Sequence, residues 1–480
     1  MEKLQNYIDG QLTAPVSGTY IDNFNPATGE VYSFIPDSDE RDVDAAVRAA
    51  EKAFPGWSVT PAKERSRILL KISSLIEEKL DKLALAETTD NGKPLWLATS
   101  VDIPRAASNF HFFGSAILHY FSEAHAMEDS AINYTLRNPI GVVGCISPWN
   151  LPLYLFSWKI APALAVGNCV IAKPSEITPM TAYLLSEICI EAGLPPGVLN
   201  IVHGYGPKVG SAITRHPGIP CLSFTGGTKT GAEIGRIATP MFKKLSLELG
   251  GKNPNIIFAD CNYENMLETT LRSSFANQGQ ICLCGSRIFV ERPLYDRFKH
   301  DFVERTKAMT IGDPLEKSSK QGAVVSKAHQ EKILSYIELA QEEGGSILAG
   351  GHAVHPEGRC SKGWFVAPTI IEGLSHQCRT NQEEIFGPVA TIMPFDTEEE
   401  VLTYANSTRY GLSATLWTEN LTRAHRISNQ LKSGVIWVNC WLIRDLRTPF
   451  GGMKSSGVGR EGGLEALRFF TESKNICIKT

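Results

Sequence analysis

The stretch "GVVGCISPWNLPLYLFSWKIAPALAVGNCVIAKPSE" (residues 141–176) puts a helical segment, 153–165, between two short apolar runs, 141–146 and 169–172. A strand, a crossover helix and a second strand pair side by side and in parallel. The alternation continues. Apolar runs at 198–202, 221–224, 244–249 and 255–259 are strand-like, and helical stretches over 180–193, 207–217 and 229–238 lie between the earlier ones. This pattern predicts a doubly wound α/β domain, a parallel sheet with helices on both faces. Such sheets take ligands at the carboxyl ends of their strands.

Upstream, residues 40 to 90 show apolar positions at three- and four-residue intervals, the mark of amphipathic packing helices. Past 260 a second series begins, with helices near 262–276, 294–308 and 326–344 and strand-like runs such as "SRIFV", "VATIMPF" and "GVIWVN". We read it as a second α/β domain, in keeping with 480 residues, more than one core usually serves.

A net charge of −4 gives no basic field for nucleic acid or an anionic membrane. The expected partners are small molecules and other subunits. The opening "MEKLQNYIDGQL" lacks the order of a signal peptide, and no apolar run reaches the ~18 residues of a membrane span. A cytoplasmic protein is expected. The 11 cysteines are scattered without metal or disulfide spacing, so no metal site is expected and most are read as buried thiols.

Glycines cluster after two of the strands, Gly204 to Gly210 and Gly226 to Gly231. Neither cluster has the spacing of a known phosphate loop, but glycine where a strand turns into a helix lets backbone amides approach a pyrophosphate. A tight connecting turn is the alternative. Lys173 and Glu176, beside another strand end, could hold ribose hydroxyls or form an ordinary exposed pair. Cys282, in "FANQGQICLCGSR", lies on a loop rich in Gly and Asn that gives a nucleophile access. Glu248 ends a strand in "LELGGKNP", where a carboxylate left uncovered can take a proton. Asn150 follows a strand in "SPWNLP" and offers a neutral donor for an oxyanion. Each has a plainer reading: a buried thiol, a surface charge, a helix N-cap.

Together with "NPATGEV" (25–31), "AGLPPGVLN" (192–200), "SFTGGTKTG" (223–231), "EEIFGPV" (383–389), "NSTRYGLSA" (406–414) and "PFGGMKSSGVGREGG" (449–463), these segments resemble the NAD(P)-dependent aldehyde dehydrogenase superfamily over nearly the whole chain. The resemblance implies Cys282 as nucleophile, Glu248 as general base and Asn150 with the Cys282 amide as oxyanion hole. A thiohemiacetal on Cys282 would pass hydride to the nicotinamide, and water deprotonated by Glu248 would hydrolyse the resulting thioester. It also implies an NAD cleft lined by Ser147, Pro148, Trp149, Lys173, Ser175, Glu176, Gly206, Phe224, Thr225, Gly226, Gly227, Thr230, Leu249, Gly250, Glu384 and Phe386. Gly227 departs from the family, where many members carry Ser. Glu176 favours NAD over NADP, because a carboxylate repels a 2′-phosphate.

By the same resemblance, residues 1–119 and 139–250 form the dinucleotide-binding domain and 251–450 the catalytic domain. Residues 120–138 and 466–480 are oligomerisation segments, implying a homodimer or homotetramer. The segments "NCWLIRDLRTPFGG", "DIPRAASNF" and the paired "CLC" are similar to the group that oxidises 2-aminomuconate or 2-hydroxymuconate semialdehydes. That similarity implies Arg105 and Arg444 as ligands of a substrate carboxylate, with Tyr154, Trp158 and Phe450 as walls. The alternatives are an exposed arginine at 105, a surface ion pair of Arg444 with Asp445, and a neutral aliphatic or betaine aldehyde as substrate. Further off lie a cofactor-independent cysteine hydrolase and a noncatalytic structural protein.

Overall fold

A computed structural model describes residues 1–128 and 130–479. Its largest sheet has eight strands, in the order Gly457–Val458, Lys244–Glu248, Cys221–Thr225, Val142–Ile146, Cys169–Lys173, Leu199–Ile201, Asn6–Ile8 and Gln11–Thr13. The five middle strands are parallel. They are buried end to end apart from Lys244, Leu245 and Thr225, which is why their sequences read as unbroken apolar runs rather than alternating ones. Chain direction across the sheet reverses between Val142–Ile146 and Cys221–Thr225. At that switch point two strand-to-helix loops splay apart and leave a crevice.

The helices Glu40–Ser58, Ala62–Glu78, Ile103–Ala116, Pro152–Ala165 and Met180–Glu191 cover the sheet and share one core with it. Glu40–Ser58 starts on a capping box, Asp39 with Asp42, and buries Val43, Ala46, Val47 and Ala50 at helical spacing. Pro152–Ala165 opens with proline, whose missing N–H is no loss in a first turn.

A second sheet has seven strands, from Ser346–Ala349 through Thr369–Glu372, Val389–Phe395, Arg287–Glu291, Pro254–Ile257 and Ser413–Trp417 to Val435–Val438. All its pairings are parallel except that of the edge strand Ser346–Ala349. A third sheet is antiparallel, with Ala124–Met127, Ala131–Pro139 and Thr471–Lys479 paired in register from Thr471↔Pro139 to Lys479↔Ala131.

Three features depart from the sequence reading. Residues 207–217 form a π-type turn, Gly206–Gly210, and a short helix, Ser211–Arg215, because Gly206, Pro207 and Gly210 weaken a regular start. The tail assigned to oligomerisation from 466 begins instead as the end of helix Gly463–Phe469, whose Ala466 and Leu467 join the first core, and becomes a strand only at Thr471. The strands Asn6–Ile8 and Gly457–Val458 join the first sheet antiparallel, one at each flank of the parallel block. They are held by backbone pairing and are too short to show periodicity.

Candidate active site

Two adjoining cavities lie at the switch point. One, of ≈ 720 Å³, is lined by Ser147, Pro148, Trp149, Lys173, Ser175, Glu176, Gly206, Phe224, Thr225, Gly226, Gly227 and Thr230 among others. The other, of ≈ 240 Å³, shares Pro148, Trp149, Thr225, Gly226 and Gly227 with it and adds Asn150, Leu249, Gly250, Cys282, Glu384 and Phe386. Every residue expected to bind cofactor thus faces one continuous cleft, and Cys282 stands at its inner end.

The cleft has free hydrogen-bonding capacity. Ser147 Oγ and Thr225 Oγ1 are buried without a partner, a cost that a bound polar ligand would relieve. Lys173 and Glu176 pair at 2.9 Å, and Glu176 also accepts from the Gly206 amide at 3.1 Å. Burial pushes this carboxyl up, but Lys173 and the amide outweigh it and hold Glu176 below its ordinary value. Gly226 has no room for a side chain, since a Cβ would lie 2.5 Å from the Phe224 ring, whereas Gly227 faces open space. The amides at the start of helix Thr228–Ala238 lie next to both, which suits a pyrophosphate. These residues fit a dinucleotide.

Deeper in, Asn150 and Cys282 line the same cavity. The Asn150 side chain donates to the Gln280 carbonyl at 2.9 Å, two residues from the thiol, which ties the amide to the nucleophile loop. Asn150 is no N-cap; Leu151 occupies that position, and no side chain caps the helix. Cys282 is partly exposed, while Cys284 is buried in an apolar cluster with Trp437 and Trp441. Enclosure of its sulfur, then the negative fields of Glu384 and Glu248, push the Cys282 thiol far above its ordinary range. Without a ligand it stays protonated and needs a base.

Glu248 is not the uncovered carboxylate expected from its strand end. It is 4% exposed, and its Oε1 has no hydrogen-bond partner. The edge strand Gly457–Val458 pairs beside it, and the "PFGG" loop folds over it so closely that a Cβ on Gly451 would sit 2.8 Å from Oε1. Burial, followed by the nearby Glu461, raises its carboxyl well above the ordinary value, although Lys159 and Arg444 pull the other way.

Arg444 does not pair with Asp445, which is taken by Arg447 at 2.6 Å. Its guanidinium lies between the Trp158 and Phe450 rings, 4.3 and 3.9 Å from their centroids, and Nη1 donates to the Tyr154 hydroxyl at 3.2 Å. Its Nε and Nη2 are buried and have no partner among the described residues. Arg105, on helix Ile103–Ala116, approaches the Tyr154 ring, 5.9 Å from its centroid. Two cations therefore meet one tyrosine, and the Arg444 charge acts on both Cys282 and Glu248.

Two polar residues of the smaller cavity escaped the sequence reading, His329 and Lys332. Burial lowers His329 to about 4, so its ring is neutral. Its Nε2 meets the Phe386 carbonyl at 2.7 Å, and a carbonyl only accepts, so Nε2 carries the hydrogen. That bond braces Phe386, whose φ of 62° is left-handed and strained for a side-chain-bearing residue. Trp149 packs edge-on against both rings. Lys332 donates to the Glu384 carbonyl at 3.2 Å, and Glu384 accepts from the Gly251 amide at 2.9 Å. Nothing in "SKAHQEKILSYI" marks this, because the partners come from 52 and 57 residues away.

A half-buried cysteine, a side-chain amide and a carboxylate beside a dinucleotide-shaped cleft define a class of enzyme. The model of the aldehyde dehydrogenase family matches residues 13–476, and the chain belongs to that family. It is 51% identical over 485 residues to the 2-aminomuconic semialdehyde dehydrogenase of Mus musculus, covering 99% of this chain and 98% of that protein. It is 45% identical to the 2-hydroxymuconic semialdehyde dehydrogenase of Pseudomonas sp. (strain CF600), each covered to 100%. The NAD+ complex of an aldehyde dehydrogenase from Bacillus cereus superposes with a TM-score of 0.97 at 38% identity, over 99% of this chain and 96% of that one.

Proposed function

We propose that this enzyme oxidises a carboxylate-bearing semialdehyde, 2-aminomuconate 6-semialdehyde or 2-hydroxymuconate semialdehyde, to the dicarboxylic acid with NAD. The names of the mouse and Pseudomonas relatives and the NAD+ complex of the Bacillus cereus protein support substrate and cofactor. Bound NAD supplies the hydride acceptor, and the chain supplies the rest. Cys282 gives its thiol proton to water in the cleft and attacks the aldehyde carbon as thiolate, and Asn150 with the Cys282 amide stabilises the alkoxide that forms. Loss of hydride leaves a thioester on Cys282. Glu248 then takes a proton from water, whose attack releases the acid and restores the thiol.

One observation carries the substrate class: the unpartnered Nε and Nη2 of Arg444. A guanidinium with two buried, vacant donors is costly unless a ligand completes it, and a carboxylate accepts both in a bidentate fork. Arg105 adds a second positive charge beside Tyr154. Arg444→Ala should raise KM for an acidic semialdehyde by ~30-fold or more, the worth of about 2 kcal/mol in a charge-assisted pair, and hardly change KM for a neutral aldehyde. Equal change for both would favour a neutral aldehyde and remove the acid-binding role.

The antiparallel sheet of Ala124–Met127, Ala131–Pro139 and Thr471–Lys479 is the surface on which a second copy docks. One of its faces shows Ile132, Leu136 and Ile478 to solvent, an exposed apolar strip of the kind that marks an interaction surface. Among the described residues no helix is long and apolar enough to cross a membrane.

A further inference from the structure

Behind Asn150 lies a buried charge cluster that the reaction as described does not use. Lys93 is completely buried, as is Glu87, and Asp102 nearly so. The Lys93 ammonium donates to Glu87 Oε1 at 3.1 Å, to Asp102 Oδ2 and to the Asn150 carbonyl at 3.3 Å, so that each of its three N–H groups has an acceptor. Asn277 Nδ2 and Asn91 Nδ2 reach the same carbonyl, at 2.9 and 3.4 Å. The other Glu87 oxygen accepts from the Leu153 amide at 3.4 Å. That amide belongs to the first turn of Pro152–Ala165, a helix with no side-chain cap of its own.

Ion clusters of this kind are weak ground for stability, since apolar residues of like volume often serve as well. This one converges on a single peptide. A carbonyl oxygen has two lone pairs, and here three donors crowd it, which fixes the plane of the peptide after Asn150 and with it the direction in which the Asn150 side chain leaves the backbone. An oxyanion donor displaced by a few tenths of an ångström loses much of its effect.

We infer that Lys93, clamped by Glu87 and Asp102, is a positioning residue for the oxyanion hole: it holds the Asn150 peptide so that the side-chain amide points at the alkoxide formed on Cys282. The inference rests on the reading of Asn150 as oxyanion donor. It is independent of acid recognition, because it acts at the aldehyde end of any substrate.

The test is a double-mutant cycle read as the NADH burst rate in stopped flow at saturating NAD, with one acidic semialdehyde and one neutral aliphatic aldehyde. Asn150→Ala alone should slow the burst ~10²-fold or more. Lys93→Met should slow it ~10-fold in the native background and less than ~2-fold on top of Asn150→Ala, equally for both aldehydes and with KM for NAD unchanged. Asp102→Asn keeps the shape of the cluster and should show the same non-additivity at ~3-fold, which carries the test if Lys93→Met does not fold. The same fractional loss in both backgrounds would mean that Lys93 acts through general stability and would overturn the proposal, as would no loss in the native one. An unchanged burst in Asn150→Ala would remove the oxyanion role of Asn150 itself, and the positioning role with it. Failure of the Lys93 and Asp102 arms alone leaves Asn150 in place.

Discussion

Cys282 and Cys284 stand one residue apart, yet only the first lines the cofactor-shaped cavity, while the second is packed among tryptophans with its thiol pushed up to about 12 by burial. Cys282→Ala is therefore expected to abolish NADH formation, and Cys284→Ala to retain at least about a third of it, a loss of under 1 kcal/mol in the barrier. Equal loss in both would reassign the nucleophile. For Glu248 the sign of the pH effect follows from its environment. Burial raises its carboxyl, so it keeps its proton to higher pH than an exposed glutamate, and the base form that activates water grows as pH rises. Steady-state turnover should climb with pH, and Glu248→Gln should flatten that climb while leaving the first-turnover burst; a profile unchanged by the substitution would assign the base elsewhere. The placement of Cys282, Asn150 and Glu248 at a strand end or in a loop was legible in sequence, because each carries its own local signature. The enclosure of Glu248 was not, since it is imposed by "PFGG" and Gly457–Val458, some two hundred residues downstream.

At the scale of the element, the helix Pro152–Ala165 carries Tyr154 and Trp158 one turn apart, and Asn150 stands just ahead of its first turn. Residues four apart lie on one face, so a single rigid element presents the proposed oxyanion donor and two side chains packed on Arg444 together. The loop after Lys244–Glu248 is as tightly determined: a Cβ on Gly250 would meet Glu384 Oε2 at 2.2 Å. Gly250→Ala should displace Glu384 and weaken NAD binding by ~10-fold or more in a titration of the enzyme's intrinsic fluorescence, the effect of one lost charge-assisted hydrogen bond. Unchanged affinity would release Glu384 from cofactor binding. The middle strands could be read from sequence almost to the residue, because burial on both faces writes a continuous apolar run. The turn at Gly206–Gly210 and the flanking strands were not, being decided by glycine, proline and backbone pairing rather than by side-chain period.

At the scale of the whole molecule, the tail after Phe450 visits all that came before. It closes over Glu248, adds Gly457–Val458 to the first sheet, packs Leu467 into the first core and ends along Ala131–Pro139. Deleting residues 471–480 strips the partner strand from Ala131–Pro139, and if a second copy docks there as proposed, light scattering should give a smaller particle; an unchanged mass would remove that docking role from the sheet. These long-range pairings are what a sequence records least, since each half is ordinary until the other arrives.

That arrangement has a consequence for biosynthesis. When Glu248 leaves the ribosome, roughly 200 residues must still be translated before Val458 can dock beside it, on the order of 10–40 s at ordinary elongation rates. Until Gly457 and Val458 arrive, the Glu248 carboxylate lacks its cover and the strand Lys244–Glu248 keeps an unpaired edge. A product terminated before Gly451, however well its earlier portions fold, would leave Glu248 open to water.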